Sequence, residues 1–191
     1  MINKIRELRE LTGAGVVVCK KALAQTSTME EAVVWLQKQG EIESGQRIAR
    51  TANEGFVGHY IHIGGQIGVL VDILSETDFT ARSKDFQAFT HDLAIHIAAA
   101  NPRWVNRDEV PAEVLAQEIE IIKTKIVGKP EAVVEKIVKG KVDKFYKEAC
   151  LLEQTYVRDN TLSIQDLLNA LSIKVKERIV VKRFTRYEIG A

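Results

Sequence analysis

A few stretches carry residue types that could do chemistry. Ser75-Glu76-Thr77-Asp78-Phe79-Thr80-Ala81-Arg82 sets a carboxylate beside an aromatic ring where a strand pattern stops and a helix pattern begins. A rigid scaffold can thrust such a pair outward from a turn, so that it works on a partner; for a lone Phe, packing into the core is the competing reading. Gly13-Ala14-Gly15 ahead of Lys20 has the order of a phosphate loop. The Gly-Lys-Ser/Thr ending that places a lysine and a magnesium-binding hydroxyl is missing and no strand pattern precedes it, which rejects nucleotide binding there. Cys19-Lys20-Lys21 could hold a thiolate beside lysines, but with no histidine in the segment it reads as a small core thiol next to solvated lysines. His91 and His96 fall about 140° apart on a helix and cannot share a metal as an i, i+4 pair does; both read as surface or boundary residues. No nucleophile, base and orienting group follow one another on nearby elements, so the chain does not read as an enzyme, and no cofactor or metal is expected.

The composition bounds the scaffold. In 191 residues, 46% hydrophobic and 28% charged, there is material for one sizeable domain or a small one plus a larger one. The 27 basic residues nearly cancel the 26 acidic ones, for a formal charge of +1. That lacks the electrostatic footprint of a chain that wraps nucleic acid, so no direct nucleic-acid contact is expected and a folded protein partner fits better. Cys19 and Cys150 are too few and too far apart for a disulfide framework or zinc site, which points to a reducing compartment. No stretch has the length of a membrane span and no apolar run with a small-residue cleavage site follows Met1. The expectation is a soluble, cytoplasmic protein without a membrane partner.

The elements follow from periodicity. Ile5, Leu8 and Leu11 recur in a first helix from Ile2 to Leu11, which Thr12-Gly13-Ala14-Gly15 interrupts; a second helix runs from Val16 to Gln25. A third starts at Thr28, where Glu31 completes a capping box, and ends at Gly40, burying Ala32, Val33, Leu36 and the ring of Trp35. Residues 41–53 read as a connector, giving an N-terminal unit over 1–53 and a core over 54–191.

In the core the period changes to two. Val57, Ile61 and Ile63, then Ile67, Val69, Val71 and Ile73, flank Gly64-Gly65, a hairpin signal because both glycines tolerate positive φ. Phe56, Tyr60, Leu70 and Leu74 on the other parity predict a hairpin covered on most of its area. Phe86, Phe89, Leu93 and Ile97 give a helix lying across it, stopped by Pro102. Residues 111–148 read as an antiparallel helical hairpin, with Leu115, Ile119, Ile122 and Ile126 on one arm and Val134, Ile137, Val138, Val142 and Phe145 on the other, turned by Gly128-Lys129-Pro130. Ser163 and Asp166 start a helix with Ile164, Leu167, Leu168 and Leu171, and 179–189 reads as a third strand whose charges discourage edge pairing. The fold class is therefore α+β: a three-helix unit, plus a three-stranded antiparallel sheet packed by helices and a helical hairpin.

Leu8-Arg9-Glu10-Leu11-Thr12-Gly13-Ala14-Gly15, Cys19-Lys20-Lys21-Ala22-Leu23, Ile67-Gly68-Val69-Leu70-Val71, Glu76-Thr77-Asp78-Phe79, Phe86-Gln87-Ala88-Phe89 and His96-Ile97-Ala98-Ala99-Ala100 occur in this order. Together they resemble the segments of the elongation factor Ts family, from Leu8 to Gly190. The resemblance implies that the three-helix unit is similar to ubiquitin-associated domains and docks on the nucleotide domain of elongation factor Tu. It also implies that the chain promotes GDP release from that partner, met both GDP-bound and nucleotide-free. By the resemblance, Arg9 and Val16-Val17 stand where the family usually has an arginine and two methionines at the contact, and Val18 replaces a usual aspartate. Thr77, Asp78 and Phe79 fall in the turn that presses between helices of the partner and disturbs its magnesium and phosphate surroundings. His62 resembles a contact near the base-binding side, and Val157 and Arg158 match contacts with a second partner domain, although Thr155-Tyr156-Val157 stands in place of Pro-Phe-Val. The chain resembles the shorter family type with one copy of the core, so a homodimer is expected, paired through the third strand or the helical hairpin. The alternative, from the three-helix unit alone, is a ubiquitin-like or peptide-binding adaptor.

Overall fold

A computed structural model describes residues 2–12, 16–36, 38, 50–126 and 130–190, with the side chains of Arg9, Glu10 and Ala132 outside that description. The expected ends at Gly13-Ala14-Gly15, Gly40 and Gly128-Lys129, and the connector over 41–49, lie outside the described residues. The chain divides into two compact units, Met1–Thr51 and Ala52–Ala191.

In the first unit, helix α1 spans Ile2–Thr12, α2 spans Val16–Gln25, and residues 29–36 form α3. The α3 start is the expected capping box: the Glu31 N–H donates to Thr28 Oγ1 at 3.1 Å, and Glu31 Oε2 accepts from the Thr28 and Ser27 N–H groups at 3.3 and 2.9 Å. Two of the donors that a helix start leaves unpaired are thereby satisfied. Leu8, Cys19, Ala22 and Ala32 are buried, with Ile5, Leu23, Met29, Val33, Trp35 and Leu36 packed around them. Leu11 is 66% exposed, against expectation. A strict spacing of three drifts about 60° per step around a helix of 3.6 residues per turn, so Leu11 has rotated away from the Ile5 and Leu8 side.

In the second unit, β1 (Glu54–Ile61), β2 (Ile67–Ser75) and β5 (Val180–Glu188) form an antiparallel sheet in the order β1-β2-β5, with β2 central. The hairpin turn is longer than a two-residue loop: the His62 N–H donates to Ile67 O at 2.9 Å and the Gly65 N–H to His62 O at 2.8 Å. Gly64 and Gly65 have φ of 93° and 69°. Glycine's lack of Cβ permits this reversal.

Helix α5 (Lys84–Ala100), preceded by the single turn α4 (Asp78–Ala81), covers one face of the sheet. Val69, Val71, Ile73, Phe86, Leu93 and Ile97 meet in its core, each large side chain contributing about 1.5–3 kcal/mol by burial. Gly58 makes the close approach possible, because a Cβ there would lie 2.1 Å from Thr90 Cγ2. The hairpin is thus covered on one face rather than most of its area. Val57, Ile61 and Leu70 remain 58%, 62% and 50% exposed, because Gly58 and Tyr60, not the apolar parity of β1, turn toward α5.

Helices α6 (Ala112–Thr124) and α7 (Glu131–Ala149) form the helical hairpin, packed mainly on each other. At its base Arg107 pairs with Glu153 and Asp143 and lies 4.5 Å from the Tyr146 ring centroid. A two-stranded sheet, β3 (Thr155–Tyr156) with β4 (Asp159–Ser163), follows; it is absent from the sequence reading because strands this short carry no period. Helix α8 (Ile164–Val175) then starts at Ser163 and Asp166 as expected, and the two form a capping box.

Candidate functional site

Strand β2 delivers the chain to a turn built from local hydrogen bonds. Buried Ser75 donates through Oγ to Thr77 O at 2.9 Å. Thr77 is extended (φ −127°, ψ 154°) and caps α4, its Oγ1 accepting from the Thr80 N–H at 3.3 Å. A one-turn helix has room for two faces only. Thr80 and Ala81 take the inner one, each 4% exposed, which leaves Asp78 and Phe79 outside. The Phe79 ring is 82% exposed. Arg82 ends α4, and Ser83 Oγ accepts from the Phe86 N–H at 3.2 Å to start α5.

An apolar ring held in water on a capped turn returns nothing to its own core, which leaves it available to another molecule. Beside it, Asp78 Oδ2 pairs with Arg82 Nη2 at 3.1 Å, with both side chains largely exposed. A pair of that kind is worth about 0–1 kcal/mol and yields readily to a competing cation or donor.

The other residues singled out from the sequence lie elsewhere on the second unit. His62, at the far end of β2 from Phe79, is exposed, with Nδ1 3.0 Å from the Tyr60 hydroxyl. Val157 and Arg158 form the tip between β3 and β4. Val157 is 43% exposed, and Arg158 Nη1 donates to Asp92 Oδ1 on α5 at 2.6 Å. Before them Tyr156 is 8% exposed, with its ring 6.1 Å from that of His96. In the first unit, Val16 and Val17 are 51% and 68% exposed at the start of α2, and Arg9 belongs to α1 with its side chain outside the described ones.

His96 corrects the sequence reading: it is not at the surface or boundary but wholly buried. Its Nε2 lies 3.0 Å from Gln154 Oε1, and the Gln154 amide also donates to Glu148 O at 2.6 Å. His91 is exposed, as expected. A partner 58 positions away in sequence is invisible to periodicity, and that partner is what admits a polar ring to the core. Burial pushes the His96 pKa below 6.5, the Gln154 hydrogen bond partly opposing it. The unfolded chain therefore binds more protons between the lowered value and 6.5, and stability falls as pH drops through that window. Urea unfolding at about pH 7.5 and about pH 5 checks this: the native chain loses stability at the lower pH, and His96→Gln loses less.

Burial also pushes the Cys150 thiol up to about 11, which makes it a core thiol rather than a nucleophile. Among the described residues no group of His, Cys, Asp and Glu could hold a metal ion, and no helix is long and apolar enough to cross a membrane.

The family model for Elongation factor TS matches residues 11–191. Elongation factor Ts of Geobacter sulfurreducens is 48% identical over 190 residues, covering 98% of this chain and 88% of the relative. That of Moorella thermoacetica is 48% identical over 189 residues, covering 97% and 93%. That of Thermotoga maritima is 49% identical over 190 residues, covering 99% and 96%.

Proposed function

The chain belongs to the elongation factor Ts family of translation elongation factors, and from that premise we propose that it promotes GDP release from elongation factor Tu by pressing Phe79 and Asp78 toward the partner's magnesium and phosphate site. The observation that carries this reading is the 82% exposed ring of Phe79 on a capped, rigid turn. Magnesium demands near-octahedral oxygen geometry and bridges nucleotide phosphates to protein, so a wedge that shifts its ligands by a fraction of an ångström weakens the nucleotide. No bond in the factor is made or broken.

Thr77 supports the turn through its cap, and Asp78 is the polar lever. Exposed His62, and Val157 with Arg158, lie where further contacts on the core would widen the footprint. Arg9, Val16 and Val17 would let the three-helix unit act as a tether. Coupling between two bound partners is reciprocal: if the factor weakens GDP, GDP weakens the factor to the same degree. The factor therefore binds the GDP-bound partner weakly and the nucleotide-free partner tightly, and incoming nucleotide releases it. The test is release of a fluorescent GDP from purified elongation factor Tu, followed by stopped flow with and without the chain. Acceleration supports the reading, and an unchanged rate overturns it.

A homodimer belongs to the same proposal. Register places Val57, Ile61, Leu70 and Tyr187 on the outer face of the sheet, 58%, 62%, 50% and 68% exposed. A sheet face of this composition is normally covered, often by a second sheet about 10 Å away. Leu70 lies on the central strand, so a charge there would oppose pairing most. Solution scattering at micromolar concentration is expected to give a dimer mass for the native chain and a monomer mass for Leu70→Lys; a native monomer removes this part.

A further inference from the structure

The turn that carries Phe79 is held from the other end of the chain. Glu177 follows Lys176, whose φ of 61° reverses the chain after α8, and precedes β5. Its carboxylate accepts from three donors of the turn. Oε2 takes the Glu76 and Thr77 N–H groups, each at 3.1 Å, and Oε1 takes the Thr77 hydroxyl at 2.7 Å. The grip is returned, since Glu76 Oε1 accepts from the Arg178 N–H at 2.6 Å. Ser172 Oγ donates to the Glu177 carbonyl, which ties the same residue to α8.

The chemistry of this clasp is specific. An ionised carboxylate is a pure acceptor with two oxygens, and three donors converge on it. Thr77 is the hinge of the arrangement: its hydroxyl donates to Glu177 while accepting from the Thr80 N–H that starts the helix bearing Phe79. Fixing Glu76 and Thr77 therefore fixes the direction in which the first turn of α4 projects its ring. Glu177 lies about a hundred positions away in sequence and carries no motif, so neither spacing nor periodicity singles it out.

We propose that Glu177 is a positioning residue for nucleotide exchange, acting through Thr77 on Phe79. This rests on the reading of Phe79 as the wedge. It differs from a plain staple between β2 and β5, because a staple would affect the melting temperature and not the efficiency of a correctly folded, fully bound factor.

The experiment compares native chain, Glu177→Gln, Phe79→Ala and the double variant. GDP release from elongation factor Tu is measured against factor concentration, and melting is recorded for each. Glutamine keeps the shape but loses the charge and puts an amide donor among donors. Loss of the charge weakens the bonds this carboxylate accepts, so the maximal stimulated rate should fall about tenfold in Glu177→Gln. The half-saturating concentration should stay within about twofold, because the remaining contacts still dock the factor. Amide exchange at Thr77 and Phe79 in the free variant should quicken. The double variant should match Phe79→Ala alone, since Glu177 has nothing to aim once the ring is gone. If Phe79→Ala slows release while Glu177→Gln leaves the maximal rate unchanged, or adds its full effect in the double variant, the positioning role is overturned and the wedge stands. If Phe79→Ala itself leaves release unchanged, the wedge reading falls and the positioning role with it.

Discussion

Phe79→Ala slows stimulated GDP release from elongation factor Tu by about thirtyfold or more, while the variant melts where the native chain does. Two magnitudes set this expectation. The ring is 82% exposed and packs on little of its own protein, and a surface truncation of that kind changes stability by no more than about 0.5 kcal/mol. An aromatic anchor in the middle of an interface, by contrast, costs about 2–4 kcal/mol on truncation, and every 1.4 kcal/mol is a factor of ten. The effect should appear in the maximal rate at saturating factor, because the ring is proposed to act on the nucleotide site rather than to hold the complex together. Asp78→Asn tests the lever separately. It removes the Arg82 pair, which is exposed and weak, so any large loss of exchange reflects a contact made in the complex. Native rates from Phe79→Ala would take the ring out of the mechanism.

The parts of this fold legible in the sequence are those decided within a few residues. The Thr28–Glu31 capping box, the Ser163 and Asp166 start of α8, the Gly64-Gly65 reversal and the Phe86, Leu93, Ile97 face of α5 each rest on spacings of a few residues, and the structure has all of them. What spacing misled on was decided across the fold. The outer parity of β1 looks as apolar as an inner one because Gly58 gives up its side chain to let Thr90 in, so the buried face of the strand is the less hydrophobic one. His96 looks like a boundary residue until Gln154 is found beside it. At the site itself, Asp78 and Phe79 are legible as a pair on a turn. Thr77 reads as another contact residue, and in the structure its hydroxyl also bonds Glu177 and the Thr80 N–H. Those bonds set the geometry of its neighbours, which no local pattern expresses.

That dependence of the site on packing far from it gives the largest expected stability effect. Gly58→Ala should destabilise the second unit by about 2–3 kcal/mol, the cost of forcing a methyl into a filled core. The added Cβ would lie 2.1 Å from Thr90 Cγ2 and 3.3 Å from Val71 Cγ1, and neither neighbour is free to move. Val71 is buried on the central strand, and Thr90 is fully buried with its hydroxyl donating to Phe86 O at 2.8 Å. Thr90→Ser keeps that hydrogen bond and removes the offending methyl, leaving Thr90 Cβ at 3.4 Å as an ordinary contact. Alone it should cost about 1 kcal/mol for one buried carbon. Combined with Gly58→Ala, the new methyl occupies the space the old one vacated, so the double variant should be more stable than Gly58→Ala by itself. Urea unfolding of the four proteins measures this cycle, and simple additivity would mean that β1 and α5 relax apart instead of clashing. Displacement of Val71 by the clash would also shift β2, so Gly58→Ala should slow exchange more than its loss of folded population accounts for, and Thr90→Ser in the same chain should restore it.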